Sequence, residues 1–409
     1  MTAPKERLWA YGLFGGLLSA AGLPIYIFAP KYYADTYGVS LATLGLVLFG
    51  MRLLDVVQDP LLGWLTERLR AGYRLAIGFA MTALALGMLL LFAIEPQFSV
   101  VVWFVLSASL LFTAFSFLTI AFYARGVGKA SELRGGHLRL AAWREGGALI
   151  GVCIAAILPT LLGAFLGAPY AAFALVFAFV AVIAAIAMHP EWRSVENQAP
   201  MPWGQILADP VSRHLLLVAL VNGAPLAITS TLFLFFVESR LAAPGWEGPL
   251  LVLFFLSAAV SSSFWSAFAR RVKEKTALAI AMCAAIVSFS FALTLGAGDL
   301  ALFVGICIVS GAATGADLTL MPAMFAKRLE VISPKGGQGF GLWSFVNKFA
   351  LAFAAVTLLP LLELNGFQAG QVEQSETSLV LLGVLYAGVP SLLKFMSLFL
   401  LWRLPQQIE

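Results

Sequence analysis

Long apolar runs, separated by short polar segments, dominate the chain. Most runs approach or exceed the roughly 20 residues that an α-helix needs to cross a hydrocarbon layer about 30 Å thick. They are continuous rather than alternating, which favours helices over the strands of a membrane barrel. A helix also satisfies its own backbone polar groups inside a bilayer. The predicted spans are 8–30, 42–66, 74–95, 98–123, 140–163, 167–188, 211–237, 249–268, 276–296, 299–325, 339–362 and 378–402.

The composition indicates an integral membrane protein, so we expect a lipid bilayer and a small-molecule solute as its partners. Hydrophobic residues make up 61% of the chain and charged residues 11%, and the mean hydropathy is +0.93. Soluble domains contain about 45–50% apolar and about 25% charged residues. The first apolar run is too long for a cleavable signal peptide and lacks a small-residue cleavage site. The three cysteines lie inside apolar runs and predict neither a disulfide framework nor a metal motif.

The basic residues predict the orientation of the spans. Of 25 Lys and Arg residues, 19 fall in the loops and tails of one side, whereas only Lys31 and Arg240 fall in the loops of the other. Basic loops stay cytoplasmic, so we expect both termini in the cytoplasm. Because the sequence shows neither a long extracellular loop nor a signal, a bacterial inner membrane is the expected location. The net charge of +4 therefore reflects the membrane surface, and no nucleic-acid partner is expected.

The two halves of the sequence repeat each other at an offset of 201 residues. The matching landmarks are Pro24 with Pro225, Trp64 with Trp265, Thr113 with Thr314, Gly135-Gly136 with Gly336-Gly337, and Pro159 with Pro360. Two parallel six-helix repeats are the architecture of the major facilitator superfamily. We therefore predict an all-α membrane protein of twelve transmembrane helices with the major facilitator fold. The expected domains are an N-terminal six-helix bundle (1–188), a cytoplasmic linker (189–210) and a C-terminal bundle (211–409), in a monomer.

The second predicted span carries charged residues that a bilayer disfavours. Asp55 and Asp59 are four residues apart, so their carboxylates share one helix face, with Gln58 beside them and Arg52 three residues before Asp55. Two such carboxylates repel each other unless one takes a proton or a cation binds them. Their oxygens suit a hard cation, so the pattern predicts a coupling-ion site for Na⁺ or H⁺. The alternative is a buried salt bridge with Arg52 that only fixes helix packing.

Other polar residues lie in the remaining spans. Lys348 follows Lys335 by about 20 Å of helix, which places it near mid-membrane. It is predicted either to replace the cation as a counter-charge for the two aspartates, or to form a structural pair with Asp317 or Asp59. Arg144, nearer the cytoplasmic surface, is expected to contact solute, to gate or to snorkel. The role of Lys394 stays open.

The charges are not duplicated by the repeat. At the offset of 201, Asp55 and Asp59 correspond to Leu256 and Val260, and Lys348 corresponds to Gly147. The cation site is therefore expected in the N-terminal half and its basic counterpart in the C-terminal half. This asymmetry predicts a single site that the two halves expose alternately.

Two segments carry a resemblance to a known family. The stretch from Tyr32 to Ser40, YYADTYGVS, precedes the span-two stretch from Arg52 to Gly63, RLLDVVQDPLLG. Together they resemble the melibiose-permease branch of the major facilitator superfamily, the glycoside–pentoside–hexuronide:cation symporters. Arg144-Glu145-Gly146 and the segment from Gly339 through Trp343 to Lys348 agree with it.

This resemblance implies roles for individual residues. In such symporters two span-two aspartates, an intervening Asn and a span-four Thr bind the cation, and these positions match Asp55, Asp59, Gln58 and Thr113. Gln in place of Asn leaves Na⁺ and H⁺ both open. The family's span-eleven lysine matches Lys348.

The family's sugar-binding acidic and aromatic residues are replaced in this chain. By alignment those positions hold Ser19, Ser116 and Ile120, which makes the pocket less polar. In this chain Ala326-Lys327-Arg328 also replaces an acidic segment that follows span ten in the family. The predicted solute pocket consists of Ser19, Ser116, Ile120, Arg144, Asp317 and Trp343.

The expected function is cation-coupled import of a small organic solute, and a sugar or glycoside is the first candidate for that solute. An amphiphile such as a lysolipid is the alternative, because the pocket has lost polar groups. A membrane enzyme is disfavoured, since the three histidines fall in loops or at span ends and no nucleophile–base pair is visible. A non-transporting receptor or scaffold is the remaining alternative. No cofactor is expected besides the coupling ion, which would bind Asp55 and Asp59 if it is Na⁺.

Overall fold

The computed structural model describes residues 6–23, 28–69, 72–130, 132–133, 136–163, 165–192, 202–333, 336–365 and 375–404. Every regular element in these ranges is helical, and they contain no β-strand. The predicted all-α class is therefore confirmed for the part of the chain that the structure describes.

Among the described residues of the first half there are seven α-helices and a 3₁₀ turn. Their bounds are α1 (Leu8–Leu23), α2 (Ala29–Tyr37), α3 (Leu41–Arg68), α4 (Tyr73–Phe92), α5 (Val100–Ala130), α6 (Gly136–Gly163), α7 (Pro169–Met188) and the 3₁₀ turn His189–Glu191. The side chain of Ser40 caps α3 by accepting a hydrogen bond of 3.2 Å from the backbone N–H of Thr43, which satisfies one of the free donors of the first turn.

The described part of the second half contains eight further α-helices and three short segments of other helix types. Their bounds are α8 (Trp203–Ala208), α9 (Pro210–Phe235), the π-helix Phe236–Arg240, α10 (Glu247–Val272), α11 (Glu274–Ser290), the 3₁₀ turn Phe291–Thr294, α12 (Leu300–Ile332), α13 (Gly337–Leu364), α14 (Glu376–Gly383), the π-helix Val384–Gly388 and α15 (Val389–Trp402).

Each predicted span overlaps a helix, but the count of twelve membrane crossings stays a prediction. Within the described residues, nine helices are long and apolar enough to cross a bilayer. The predicted spans outside this count are those at α1, α3 and α13. Of these, α1 is a shorter apolar helix of 16 residues.

The chain divides into two compact units. One consists of Met1–Ile206 and Leu329–Phe345, and the other of Leu207–Arg328 and Val346–Glu409. Each has its own apolar core, with Phe14, Phe104 and Phe122 fully buried in the first and Phe236 and Phe303 in the second. The end of α12 and the start of α13 thus belong to the first unit. The predicted domain boundaries at 188 and 210 stay a prediction.

Glycine contacts draw α1 and α6 together in the first unit. A Cβ atom placed on Gly147 would lie 2.1 Å from the carbonyl oxygen of Gly12, and one on Gly151 would lie 2.2 Å from that of Gly16. Only glycine permits this backbone approach, which is how helices pack closely in a bilayer where the hydrophobic effect between them is weak.

A charged pair ties α9 to α12 in the second unit. Asp209 precedes α9 and accepts a hydrogen bond of 2.7 Å from the backbone N–H of Ser212, while Arg328 binds both carboxylate oxygens of Asp209. The hydrogen bond from Arg328 lowers the pKa of Asp209 to about 2, and the N–H of Ser212 acts in the same direction. Lys327 approaches Glu274 at 3.6 Å. Both basic residues at the end of α12 therefore have acidic partners within the second unit.

Candidate functional site

The two aspartates of the predicted cation site lie in the middle of α3 and are buried. Asp55 is 1% exposed and Asp59 is 0% exposed. Their spacing of four residues places both on one face of the helix. Burial of two carboxylates is costly unless hydrogen bonds or cations compensate their charge, so the contacts of each decide what the site can do.

A chain of polar groups from α3 and α5 surrounds Asp55. Gln58 donates through Nε2 to Asp55 Oδ1 at 2.6 Å, and Ser116 donates through Oγ to the same oxygen at 3.3 Å. Thr113 in turn donates to Oε1 of Gln58 at 3.2 Å. The structure thus brings together Asp55, Gln58 and Thr113, as the sequence predicted. It also adds Ser116, which had been predicted to line the solute pocket.

Asp59 is held by a residue that the sequence analysis did not identify. Ser344, in the first part of α13, donates through Oγ to Asp59 Oδ2 at 2.5 Å. Gly341 makes this possible, because a Cβ atom there would lie 2.9 Å from the backbone oxygen of Asp59 and 3.2 Å from the Cα of Gly63. Small residues therefore let α3 and α13 approach until a short serine side chain reaches the carboxylate.

Glu67, two turns after Asp59 on α3, also contacts the start of α13. Its Oε1 accepts a hydrogen bond of 2.7 Å from the backbone N–H of Gln338, and its Oε2 accepts one of 3.1 Å from the amide Nε2 of the same residue. A carboxylate at a helix N-terminus satisfies free N–H groups and complements the helix dipole. This contact fixes the register in which Ser344 meets Asp59.

Arg144 forms a separate buried cluster with Glu145 and Tyr123. Its Nε donates to Glu145 Oε1 at 2.8 Å, its guanidinium carbon lies 3.7 Å from the centre of the Tyr123 ring, and the Tyr123 hydroxyl donates to the same glutamate oxygen at 2.7 Å. Arg144 is 4% exposed, so its side chain is packed inside the first unit, and the choice between solute contact, gating and snorkelling stays open. Of the other pocket residues, Ile120 is buried and Ser19 is half-buried.

Asp317 pairs with Lys394, which the sequence analysis had left without a role. Lys394 on α15 binds Oδ2 of Asp317 on α12 and donates to Oδ1 of Asn222 on α9 at 2.7 Å. Ser397 donates to the same amide oxygen at 3.4 Å. The side chains of Lys394 and Asp317 are 8% and 14% exposed, so a charged pair lies inside the second unit.

For the remaining predicted residues the structure gives burial and position on the helix. Lys348 and Trp343 are half-buried on α13. Asn347, next to Lys348, lies close to α9, since a Cβ atom on Gly223 would be 3.5 Å from its Oδ1. The side chain of Arg52 lies outside the described residues, so the salt-bridge alternative for span two stays open.

The oxygens around the two aspartates could hold one hard cation. Two carboxylates, the Gln58 amide oxygen and the Thr113 hydroxyl are the ligand types that Na⁺ takes, and either carboxylate could instead take a proton. No group of three or more His, Cys, Asp or Glu side chains that could hold a metal ion occurs in the described ranges. The chemistry favours a monovalent ion over a transition metal, which prefers nitrogen and sulfur ligands.

Ser344 and Asn222 were missed because nothing in their local sequence marks them. A serine or asparagine within an apolar helix is common, and its partner lies on another helix, 285 residues away for Ser344 and 172 for Asn222. Lys394 was visible in the sequence as an ionisable residue within an apolar span, and such a residue needs a buried partner. Its partner could not be identified from spacing.

Comparisons with known proteins agree on fold and family. No curated protein sequence matches the chain. Among solved structures it is similar to a bacterial homologue of the iron transporter ferroportin in the outward-facing state, with a TM-score of 0.71 and 15% identity over 97% of this chain and 99% of that one. The chain is also similar to the structure of a bacterial ferroportin homologue in the outward-facing state with soaked iron. The TM-score is 0.71 and the identity 14%, over 98% of this chain and 99% of that one. These likenesses show the fold alone. The profile of the family described as MFS/sugar transport protein matches residues 8–407, and the chain therefore belongs to this family of transporters.

Proposed function

We propose that the protein is a cation-coupled symporter that imports a small organic solute, first a sugar or glycoside, by alternating access. The observation that carries this proposal is the buried polar cluster on α3. Asp55 and Asp59 are both buried, and carboxamide and hydroxyl groups from α3 and α5 gather around Asp55. Family membership supports the transported class, since the family is described as sugar transport.

The coupling ion would act through the charge of the two aspartates. Binding of Na⁺ or H⁺ offsets the repulsion of two carboxylates on one helix face. The occupied site then favours a conformation in which solute binds more tightly. Linkage requires the reverse effect as well, so solute must raise the affinity for the cation by the same factor. Downhill movement of the cation would drive concentrative uptake.

The class of solute follows from the family and from the changed pocket. Ser19, Ser116 and Ile120 stand where the melibiose permeases hold charged and aromatic sugar contacts, and in this structure Ser116 contacts Asp55. A glycoside with few hydroxyl contacts is the first candidate. Inhibition of uptake by long-chain amphiphiles, with none by glycosides, would instead support an amphiphile such as a lysolipid. The iron named for the structural relatives belongs to those proteins, which share only the fold with this chain.

The first experiment needs no solute. The purified full-length protein is unfolded thermally in detergent while Na⁺, Li⁺ or K⁺ is titrated at constant ionic strength, at several pH values, with Asp59→Asn as the matched variant. A ligand that binds only the folded state stabilises it by about 2.7 kcal/mol at a hundredfold excess over Kd. Stabilisation by one cation that disappears in Asp59→Asn supports the proposal. Absence of any response to cations or pH in the wild type would overturn cation coupling.

A transport assay then tests the second half of the proposal. Vesicles with an imposed inward gradient of the stabilising cation should concentrate a radiolabelled glycoside, and Asp59→Asn should lose concentrative uptake while keeping its monodisperse profile in gel filtration. Concentrative uptake by Asp59→Asn equal to that of wild type would exclude Asp59 from coupling.

A further inference from the structure

The second unit contains a buried polar cluster that the proposed mechanism does not use. Lys394 Nζ is bound by two oxygens from two different helices, the carboxylate Oδ2 of Asp317 and the amide Oδ1 of Asn222. Ser397 donates to the same amide oxygen. Asn222 and Lys394 are each 7% exposed. An ion pair this deep costs desolvation that its mutual attraction rarely exceeds, so such pairs are weak evidence for a role in stability alone.

The oxygen groups that surround the ammonium are those that bind a free cation. A carboxylate and an amide oxygen are ligands for a hard monovalent or divalent ion, and a lysine ammonium is a compact point charge of the same sign. The second carboxylate oxygen, Asp317 Oδ1, is buried without a hydrogen-bond partner among the described residues. A carboxylate with one oxygen engaged and one open can accept a further donor or ion.

The repeat relates one residue of this cluster to the cation site of the first half. At the offset of 201 residues, Ser116 corresponds to Asp317. Ser116 contacts Asp55 in the first unit, and Asp317 binds Lys394 in the second. Both clusters combine a carboxylate, a carboxamide and a hydroxyl group. The two clusters therefore contain the same types of polar group and share one pair of equivalent positions, Ser116 and Asp317, and the second cluster also contains an ammonium.

We propose that Asp317 and Asn222 form a second cation-binding site, whose resident cation is the tethered ammonium of Lys394. In the native chain the ammonium occupies the place that a free Na⁺, or a proton on Asp317, would otherwise take. The site remains electrically neutral without exchange of ions with the solution. This inference adds to the proposed symport, because it leaves the aspartates of α3 as the site that exchanges its cation and so predicts one coupling ion per cycle.

Removal of the ammonium should convert the cluster into an exchangeable site. Lys394→Met keeps an unbranched apolar stem and leaves the carboxylate of Asp317 buried with no counter-charge from residue 394. An uncompensated buried charge is strongly destabilising, so the variant should recruit a proton or Na⁺ from solution. All variants are made in full-length Asp59→Asn, so that the first site does not contribute to the response.

Thermal unfolding of the purified proteins is followed across a Na⁺ titration at constant ionic strength and across a pH series. Asp59→Asn alone should show little response. Asp59→Asn/Lys394→Met should start with a lower Tm, which rises by several degrees with added Na⁺ or on acidification. Lys394→Arg, which retains the charge, should remain unresponsive. The triple variant that also carries Asp317→Asn should lose the response, because no carboxylate remains to be compensated.

The outcomes separate this proposal from the proposed function. A folded Asp59→Asn/Lys394→Met protein that responds to Na⁺ and pH no more than Asp59→Asn does would overturn it. If that variant folds under no condition of salt or pH while the triple variant folds, no solution cation replaces the ammonium, and the proposal also fails. The cation response of wild-type protein, which tests the symporter itself, does not enter either comparison.

Discussion

Serine hydroxyls from other helix segments contact both carboxylates of the candidate cation site. Ser116 of α5 donates to Asp55, and Ser344 of α13 donates to Asp59. Hydrogen bonds to charged groups contribute more than those between neutral groups, and a buried acceptor that loses its donor carries the full desolvation penalty. The serines therefore hold the carboxylates in place and also reduce the free-energy cost of burying their charge.

Replacement of Ser344 tests this role. Ser344→Ala should lower the free energy of unfolding by about 1–3 kcal/mol, because a buried carboxylate oxygen loses a donor. Ser344→Thr, which keeps the hydroxyl, is the matched control and should remain closer to wild type. Denaturant or thermal unfolding in detergent without added cation measures the difference. Equal stability of Ser344→Ala and wild type would show that the hydrogen bond to Asp59 contributes nothing to the folded state.

Asp209, which lies outside the membrane spans, predicts how the stability of the folded protein depends on pH. The hydrogen bond from Arg328 depresses the pKa of Asp209 to about 2 in the folded protein, below its usual value of 3.8. A carboxyl whose folded pKa is depressed stabilises the protein above its unfolded pKa and loses this contribution as the pH falls through the folded value. Asp209→Asn should therefore have a lower free energy of unfolding than wild type at neutral pH. This difference in stability should shrink as the pH falls from about 4 towards about 2. Thermal unfolding of both proteins across this pH range tests the prediction. A difference in Tm that does not change with pH would contradict it.

Glycine contacts set the distances between several helices. On α1 and α6, Gly12 faces Gly147 and Gly16 faces Gly151, and on α3 and α13 Gly63 lies against Gly341. Association of helices in a bilayer depends on close packing rather than on burial of apolar area. The second contact also brings Ser344 to Asp59, so an element-level feature determines a residue-level hydrogen bond.

A methyl group at one of these contacts should prevent close packing. A Cβ atom at Gly151 would lie 2.2 Å from the Gly16 carbonyl, whereas one at Gly78 of α4 would meet nothing within 4 Å. Gly151→Ala should therefore destabilise by about 1–3 kcal/mol or more, as overpacking does. Gly78→Ala should be neutral or slightly stabilising, since alanine favours helix by about 1 kcal/mol over glycine. Tm and gel-filtration profiles of both variants test this. Equal Tm values for the two variants would show that α1 and α6 can move apart to accommodate the added methyl group without loss of stability.

At the scale of the whole molecule, the charge distribution along the chain predicts how it lies in the membrane. The large excess of Lys and Arg in alternate loops predicts that both termini face the cytoplasm. The chain belongs to a family of transporters, for which this orientation in the membrane is a testable property.

Fusions at the termini test this orientation. Green fluorescent protein fused to the C-terminus should fluoresce in bacterial cells, while alkaline phosphatase at the same point should stay inactive, since the two reporters report opposite sides of the inner membrane. The N-terminus should give the same result. Active phosphatase at either end would show that the charge bias does not determine the topology here.

The sequence by itself determined the class of structure and the location of the candidate site. Continuous apolar runs indicated helices, because backbone groups in lipid must be paired within a segment. The pair Asp55 and Asp59 was visible because ionisable residues are rare in such runs and helical spacing places these two on one face. Gln58 was visible beside the pair and Thr113 followed from the resemblance, and the structure places both in the Asp55 cluster.

The tertiary structure decided which partners these residues meet. Ser344, Asn222 and the pairing of Asp317 with Lys394 depend on contacts between helices far apart in sequence. Helical periodicity specifies which residues share a face of one helix, but not which helix lies against that face or at what depth. That depends on close packing around glycines such as Gly63 and Gly341. The assignment of each buried charge to its partner could therefore be made only once the helices had been packed together.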